Sequence, residues 1–145
     1  MSSIDYTLDM AANIKGAFAV AIVDYDSGMT LGSRGGSPEF DLDVAAPGNS
    51  DVVRTKLEVM QKLGLRETID DILITLDSQY HLIRPIHGNN DEKPFFYLVL
   101  NRAQANLAMA RRDLRVIEQQ FYMAVPGPGR PQDGQAFFAA GAGQR

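Results

Sequence analysis

The residues best suited to metal chemistry are two histidines and two acids in one short stretch of the chain. His81 and His87 lie six positions apart, and Asp91 and Glu92 follow in a polar loop. Imidazole and carboxylate groups are good zinc ligands, but this spacing matches no established ligand pattern. We therefore interpret both histidines as ordinary strand or surface residues and expect no metal site.

Two pairs of aspartates are the candidates for general acid and base catalysis. Asp24 and Asp26 lie in a turn that ends at Gly28. Aspartate side chains in such turns hydrogen-bond their own backbone, so we interpret this pair as turn formers. Asp70 and Asp71 precede a predicted strand, and we interpret them as solvated charges.

Motifs for phosphate binding and covalent catalysis are missing from the sequence. The glycine-rich stretch 32–36 matches neither the phosphate-loop pattern nor the dinucleotide-binding pattern. The chain has no cysteine, which excludes a thiolate nucleophile. We expect a protein that is not an enzyme and binds no cofactor. A small enzyme that uses His81 or the turn aspartates is the disfavoured alternative.

Length, charge and hydropathy predict one domain that binds no nucleic acid and does not insert into a membrane. The 145 residues carry a net charge of −4. The basic excess is confined to Arg102, Arg111, Arg112 and Arg115, and we interpret the last three as a solvated helix face, with Asp113 and Glu118 available to pair with it. No apolar run approaches the ~20 residues that span a bilayer. The first residues show no secretory signal, so we expect a cytoplasmic protein.

Hydrophobic periodicity predicts three helices and five strands. In chain order these are a helix from Ser3 that Gly16 ends, strands 17–23 and 29–33, a helix 41–63, strands 72–76, 80–86 and 95–100, and a helix that follows Asn101 and runs to about Tyr122. The order predicts an α/β (α+β) fold with a five-stranded, mainly antiparallel sheet and helices on both faces. The domain covers residues 1–123, and a flexible tail rich in proline, glycine and alanine covers 124–145.

Two details of these elements have alternatives. Pro47 lacks an N–H group, so the second helix either runs from Asp41 with a kink or begins afresh at Asn49 or Ser50. In the first strand, alternation places Phe18 on the face of the other large residues and leaves a row of alanines on the opposite face.

The second helix has a wider apolar face than a single neighbour requires. One line of residues consists of Val53, Leu57, Met60 and Gly64, and the adjacent line consists of Val52, Lys56, Val59 and Leu63. Together they span about 160°, against the ~100° stripe of a helix that rests on one core. The last helix keeps its apolar residues within about 80°. We predict that the line of Leu57 faces the sheet and that the line of Val59 faces a partner outside the chain. The alternative is that a long loop or the tail covers it.

Several segments resemble the roadblock / dynein-light-chain family. Residues 19–33 resemble its first hairpin, 41–46 and 48–54 its second helix in a bacterial branch, 82–86 its fourth strand, and 106–111 the start of its last helix. The family includes bacterial regulators of small Ras-like GTPases of the mutual-gliding B type. The resemblance covers residues 4–122 and departs from the family at Pro47.

The resemblance implies a profilin-like fold and a homodimer. Family members typically join through their third strands and pack their second helices together. This implies a dimer interface at Val52, Lys56, Val59, Leu63, Ile72 and Ile74. The domain in this family carries no catalytic centre of its own and binds no nucleotide.

The resemblance also implies that the partner is a small Ras-like GTPase whose nucleotide cycle the dimer modulates. We place the partner-binding site on the polar flank of the second helix, at Arg54, Thr55, Glu58 and Lys62. Arg54 is a candidate for an arginine donated in trans, although a solvated side chain is the simpler interpretation. The alternative function is a signalling adaptor without effect on GTP hydrolysis.

Overall fold

The computed structural model describes residues 3–87 and 93–124, and it contains three helices and five strands. In chain order they are α1 (Ser3–Ala12), β1 (Ala17–Asp24), β2 (Thr30–Gly35), α2 (Leu42–Lys62), β3 (Ile72–Thr75), β4 (Gln79–Pro85), β5 (Pro94–Asn101) and α3 (Leu107–Ala124). The predicted elements are confirmed, with small shifts at most ends. The last helix differs most, because residues 102–104 form a turn and α3 begins at Leu107 rather than directly after Asn101. The predicted tail lies outside the described residues beyond position 124.

The five strands form one antiparallel sheet in the order β2-β1-β5-β4-β3. β5 lies at the centre and is buried from Pro94 to Leu100, as its two-sided apolar sequence predicts. β2 and β3 are the two edges. The predicted α+β fold with a five-stranded antiparallel sheet is therefore confirmed.

Two hydrophobic clusters lie on opposite faces of the sheet, because successive strand residues point to opposite sides. On one face, alternate β5 residues such as Phe96 and Leu98 pack with Leu8 of α1 and Leu114 of α3. The second cluster consists of Ala19, Ala21, Val23, Leu42, Ala46, Val53, Ile83, Phe95, Tyr97 and Val99. Helices thus cover both faces, with α2 alone on the second one.

The predicted row of alanines in β1 is interrupted. Ala19 and Ala21 are buried on the α2 face as expected, but the pairing with β5 shifts register between Ala17 and Ala19. This irregularity brings Phe18 edge-on against Phe40, with ring centroids 5.5 Å apart, beside the α2 cluster. The prediction that Phe18 shares a face with Val20 is wrong, because an extra strand residue reverses the alternation.

α2 is one continuous helix of 21 residues with Pro47 inside it. Asp41 caps its start, where the carboxylate accepts a hydrogen bond from the Asp43 amide at 2.9 Å. At its end Gly64 adopts a φ of 73°, and its amide donates to the Gln61 carbonyl at 3.0 Å. The helix from Asp41 is confirmed, and the alternative start at Asn49 or Ser50 is wrong.

Candidate assembly and partner-binding surface

The sheet-facing side of α2 is the one that the sequence predicts. Val53 and Met60 are buried, and Leu57 is partly buried against the same cluster. α2 packs mainly against β1 and β2, at one side of the sheet. This line of the helix therefore packs on the chain's own core.

The adjacent line of α2 is uncovered among the described residues. Val52 is 38% exposed, Val59 40% and Leu63 67%, and Lys56 between them is also exposed. The α2 line, as we call these four residues, is a row of three exposed apolar side chains with Lys56 between the first two. No loop among the described residues covers the α2 line, so the alternative that a long loop covers it is not supported there. The tail, which is the other alternative cover, lies outside the described residues.

The β3 edge lies at the opposite side of the sheet from β2. It has only four residues and pairs with β4 alone. Ile72 and Ile74 are partly buried and pack on the α2 cluster, whereas Leu73 packs on the other face. An edge strand of this kind presents unpaired backbone groups that a further strand can bind.

The β2 edge is protected by its own side chains. The Arg34 Nη1 group donates to the Ser33 carbonyl at 2.8 Å, and the same guanidinium binds Asp5 and Asp9 of α1 at 3.1 and 2.9 Å. Gly35, with φ of 80°, ends the strand. Of the two edges, β3 is therefore the better template for strand pairing.

Of the four residues on the polar flank of α2, three are exposed and one is held by hydrogen bonds within the chain. Thr55, Glu58 and Lys62 are exposed and available to a partner. Arg54 instead donates from Nη1 to the Tyr25 carbonyl of the β1–β2 turn, and from Nη2 to the Asp51 carboxylate. Its guanidinium joins α2 to this turn, so donating it in trans requires that both bonds break.

The residues proposed for metal or acid–base chemistry do not come together. His81 binds Gln79 and Tyr97, whereas the His87 Nε2 atom lies 3.0 Å from the Ile69 carbonyl. Within residues 3–87 and 93–124, no group of three or more histidines and acids could hold a metal ion. Asp91 and Glu92 lie outside the described residues.

The two aspartate pairs differ in their surroundings. The Asp24 carboxylate accepts from the Asp26 amide at 2.9 Å, which confirms its interpretation as a turn former. Asp71, predicted to be solvated, has a side chain only 9% exposed and binds Arg111 through two bonds of 3.0 and 2.9 Å. The prediction for Asp71 is wrong because Arg111 of α3 reaches this segment, whereas the Asp70 side chain is 71% exposed, as predicted.

A buried arginine on the α3 face was missed in the sequence. The Arg84 side chain is 10% exposed, and it binds the Glu118 carboxylate of α3 and Asp70. Burial alone would lower the pKa of Arg84, but Glu118 and Asp70 raise it above its ordinary value. Glu118 therefore pairs with Arg84 of β4, and not with the arginines of α3 as the sequence predicted. The sequence signal for this buried arginine was a single charged residue inside the apolar run 82–86.

The arginines of α3 are only partly the solvated face that the sequence predicts. Arg112 fits it, because its side chain is 66% exposed and lies 3.6 Å from the Asp113 carboxylate. Arg111 is held by Asp71, and Arg115 lies 3.9 Å from Asp70. None of the described helices is long and apolar enough to cross a membrane.

Comparison with solved structures identifies the fold. The chain superimposes on Myxococcus xanthus MglB with a TM-score of 0.71 at 13% identity, covering 84% of this chain and 94% of that one. It superimposes on a roadblock/LC7 domain from Streptomyces avermitilis with a TM-score of 0.67 at 12% identity, covering 80% and 92%. An MglB structure with a tetrameric arrangement gives a TM-score of 0.58 at 13% identity, covering 81% and 89%.

These likenesses show that the chain has the roadblock/LC7 fold, as the sequence resemblance implies. The fold is shared in particular with the MglB proteins. By sequence, the chain matches no model of a protein family. It is also not similar in sequence to any curated protein.

Proposed function

We propose that this chain is a homodimeric regulatory module that binds a small Ras-like GTPase and modulates its nucleotide cycle. The proposal depends on one observation, the uncovered α2 line on the same face of the sheet as Ile72 and Ile74 of the β3 edge. The sequence resemblance associates this fold with GTPase regulators and adaptors. We further propose that the protein is cytoplasmic, is not an enzyme itself, and binds neither a cofactor nor nucleic acid.

The α2 line supports self-association because three of its four residues are exposed apolar side chains. Single exposed apolar side chains are normal on a soluble protein. Several that recur on one side of a helix instead indicate an interaction surface. Val52, Val59 and Leu63 recur on one side of α2, and two such helices related by a twofold axis would bury one another's strips.

The β3 edge extends the proposed interface beyond the helix. Pairing of two β3 strands would join two sheets and bring Ile72 and Ile74 of each subunit under the neighbouring α2. A specific dimer formed through the helix and the strand is expected to bury a total area of ~1,600 Å². The MglB structure with a tetrameric arrangement supports self-association of this fold in another protein.

The exposed polar flank of α2 supports binding of a second protein. Thr55, Glu58 and Lys62 border the α2 line without belonging to it. In a twofold dimer the two flanks would lie side by side, so that one GTPase would contact both subunits. A flank with both charges and a hydroxyl suits a polar, reversible interface.

An adaptor without effect on hydrolysis is the second candidate, and Arg54 favours it. Its guanidinium is occupied within the subunit by the Tyr25 carbonyl and by Asp51. An arginine supplied in trans raises GTP hydrolysis by about 10³-fold or more. If no other residue takes that role, the module would bind a GTPase without accelerating it in this way.

The experiment measures binding and turnover separately. Each Ras-like GTPase encoded in the same genome is purified, loaded with GDP or a GTP analogue, and titrated with this protein. Hydrolysis and nucleotide exchange are then followed with and without excess protein. We expect binding of one GTPase with a preference for one nucleotide state, and a changed rate of hydrolysis or exchange.

Arg54→Ala and the exposed control Arg112→Ala distinguish the two candidates. We expect both variants to bind the GTPase and to retain its altered rate, because Arg54 is held within the subunit. A loss of about 10³-fold confined to Arg54→Ala would make Arg54 the donated arginine. Binding without any change in rate would favour the adaptor, and absence of binding in both nucleotide states would refute both.

A further inference from the structure

The helical hydrogen bonding of α2 is weakened at Pro47 and Gly48. Pro47 has no amide hydrogen, so the bond that a helix would place between residue 47 and the Asp43 carbonyl is absent. Gly48 follows directly, and glycine is the least favourable residue in a helix interior after proline. The amino-terminal turn of α2 is therefore less firmly joined to the rest of the helix than an ordinary helix would be.

The next two side chains compete for carbonyls of the same turn. The Asn49 Nδ2 group donates to the Ala45 carbonyl at 2.9 Å, and the Ser50 hydroxyl donates to the Ala46 carbonyl at 3.4 Å. A side-chain bond to the residue four positions back shares its acceptor with the helix and favours bending. Residues 47–50 thus form a continuous weak point, which we call the α2 hinge.

No packing contact requires glycine at position 48. Gly48 is exposed, and a Cβ atom added there would meet no neighbouring atom within 4 Å. Gly35 is different, because a Cβ atom there would lie 2.4 Å from the Phe18 carbonyl oxygen. Alanine would fit at position 48 and would form the better helix.

Two glycines before α2 provide a second pivot. Gly35 and Gly36 have φ of 80° and 88°, and glycine changes its backbone conformation more easily than any other residue. The Gly36 amide still donates to the Phe18 carbonyl of β1 at 3.1 Å, whereas the Phe40 amide donates to the Ser37 carbonyl at 3.0 Å. Residues 37–46, which we call the flap, lie between this pivot and the α2 hinge.

The flap is held on the sheet by apolar side chains. Phe40 packs edge-on against Phe18 and His81, with ring centroids 5.5 and 5.8 Å apart. Leu42 and Ala46 are buried in the second hydrophobic cluster. These contacts are non-directional, so they close the flap without fixing it through hydrogen bonds to the sheet.

Charge and space beside the flap also leave it free to move. Glu39, Asp41 and Asp43 are exposed, and no ion pair within residues 3–87 and 93–124 involves them. An open pocket of about 280 Å³ lies between the end of β2 and the start of α2, with Ser33 and Leu42 among its lining residues.

We propose that residues 37–46 are a hinged flap that opens independently of the rest of α2. The α2 line begins at Val52, after the α2 hinge, so opening leaves the proposed dimer helix on the sheet. Opening uncovers the part of the second cluster that Leu42 and Ala46 cover, and a partner reaches that apolar surface only in the open state. The flap does not depend on the proposed GTPase regulation, because the isolated chain reports on it.

Hydrogen exchange of the full chain at neutral pH tests the flap. The amides of Phe40, Val44 and Ala45 each donate to an acceptor inside the flap. We expect these amides to share one protection factor, at least about tenfold below that of residues 54–60 of α2. Protection that rises steadily from residue 44 to 54 would show simple fraying of a helix end. That gradient, or equal protection along all of α2, would overturn the proposal.

A double variant removes the α2 hinge. Pro47→Ala with Gly48→Ala restores the missing bond at two exposed positions, so the fold is retained. We expect the flap amides to gain at least about tenfold in protection and to reach that of residues 54–60. The control Thr55→Ala favours the helix beyond the hinge and should leave flap protection unchanged. Flap opening that persists in the double variant, or that Thr55→Ala suppresses equally, contradicts the proposal.

Discussion

Val59→Asp is expected to convert the protein from dimer to monomer while the fold remains intact. Val59 is 40% exposed on the α2 line, so a carboxylate there is hydrated in the free subunit and costs it little. In an interface between two α2 helices the same carboxylate would lose its water next to apolar side chains. We expect a cost of about 3 kcal/mol or more, which raises the dimer dissociation constant at least about 100-fold.

Sedimentation and thermal unfolding of three variants separate the faces of α2. Leu57→Ala removes a partly buried side chain of the core and should lower the free energy of unfolding by about 2 kcal/mol, the lower end for such cavities. Val116→Asp places a charge at a valine of α3 that is 46% exposed, close to the 40% of Val59, and should leave the dimer unchanged. The face assignment is wrong if Val59→Asp remains dimeric or if Leu57→Ala dissociates without losing stability.

Arg84→Met is expected to be among the most destabilising single substitutions in this chain. It leaves the Glu118 carboxylate, only 12% exposed, without its cation. Breaking a buried ion pair by removing one partner lowers the free energy of unfolding by about 3–5 kcal/mol. Urea unfolding at neutral pH measures this loss.

Two further variants test whether the broken ion pair causes this loss of stability. Arg84→Met combined with Glu118→Gln should recover most of the stability, because no charge is then left uncompensated. Arg112→Met breaks an exposed ion pair on α3, the helix that carries Glu118. It should lower the free energy of unfolding by less than about 1 kcal/mol. A loss in Arg84→Met that is no larger than in Arg112→Met would show that the Arg84 pair contributes no special stability.

Local pattern was sufficient to predict most of the fold. The turn at Asp24 and Gly28, the cap at Asp41 and the stop at Gly64 each use chemistry that acts within a few residues. The two lines of α2 were likewise separable by helical periodicity, since Val53 and Met60 are buried whereas Val52 and Val59 are exposed. These features depend on the order of neighbouring residues and can therefore be predicted from the sequence alone.

The features that the sequence did not predict depend on contacts between distant segments. Arg84 meets Glu118 across 34 positions, and Asp71 meets Arg111 across 40. Charged pairs leave no periodic signal, so each residue alone resembled a solvated charge. The irregularity beside Phe18 similarly arises from pairing with β5, which the sequence of β1 does not specify.

The sequence predicted which residues of α2 form the candidate site, but not which of them are held by bonds within the subunit. Thr55, Glu58 and Lys62 are exposed as a partner-binding flank requires, but Arg54 is held by the backbone of a turn 29 positions away. Only the folded chain brings that carbonyl to the helix. The interface itself involves a second molecule, so neither the sequence pattern nor one folded chain displays its contacts.

Light scattering of the full chain at micromolar concentration shows whether the α2 line and the β3 edge form a dimer interface. We expect a particle of twice the 15.9 kDa chain mass. We expect the same dimer for the chain cut after Ala124, because the proposed interface lies entirely within the described residues. A particle of 15.9 kDa for the full chain would refute the proposed dimer.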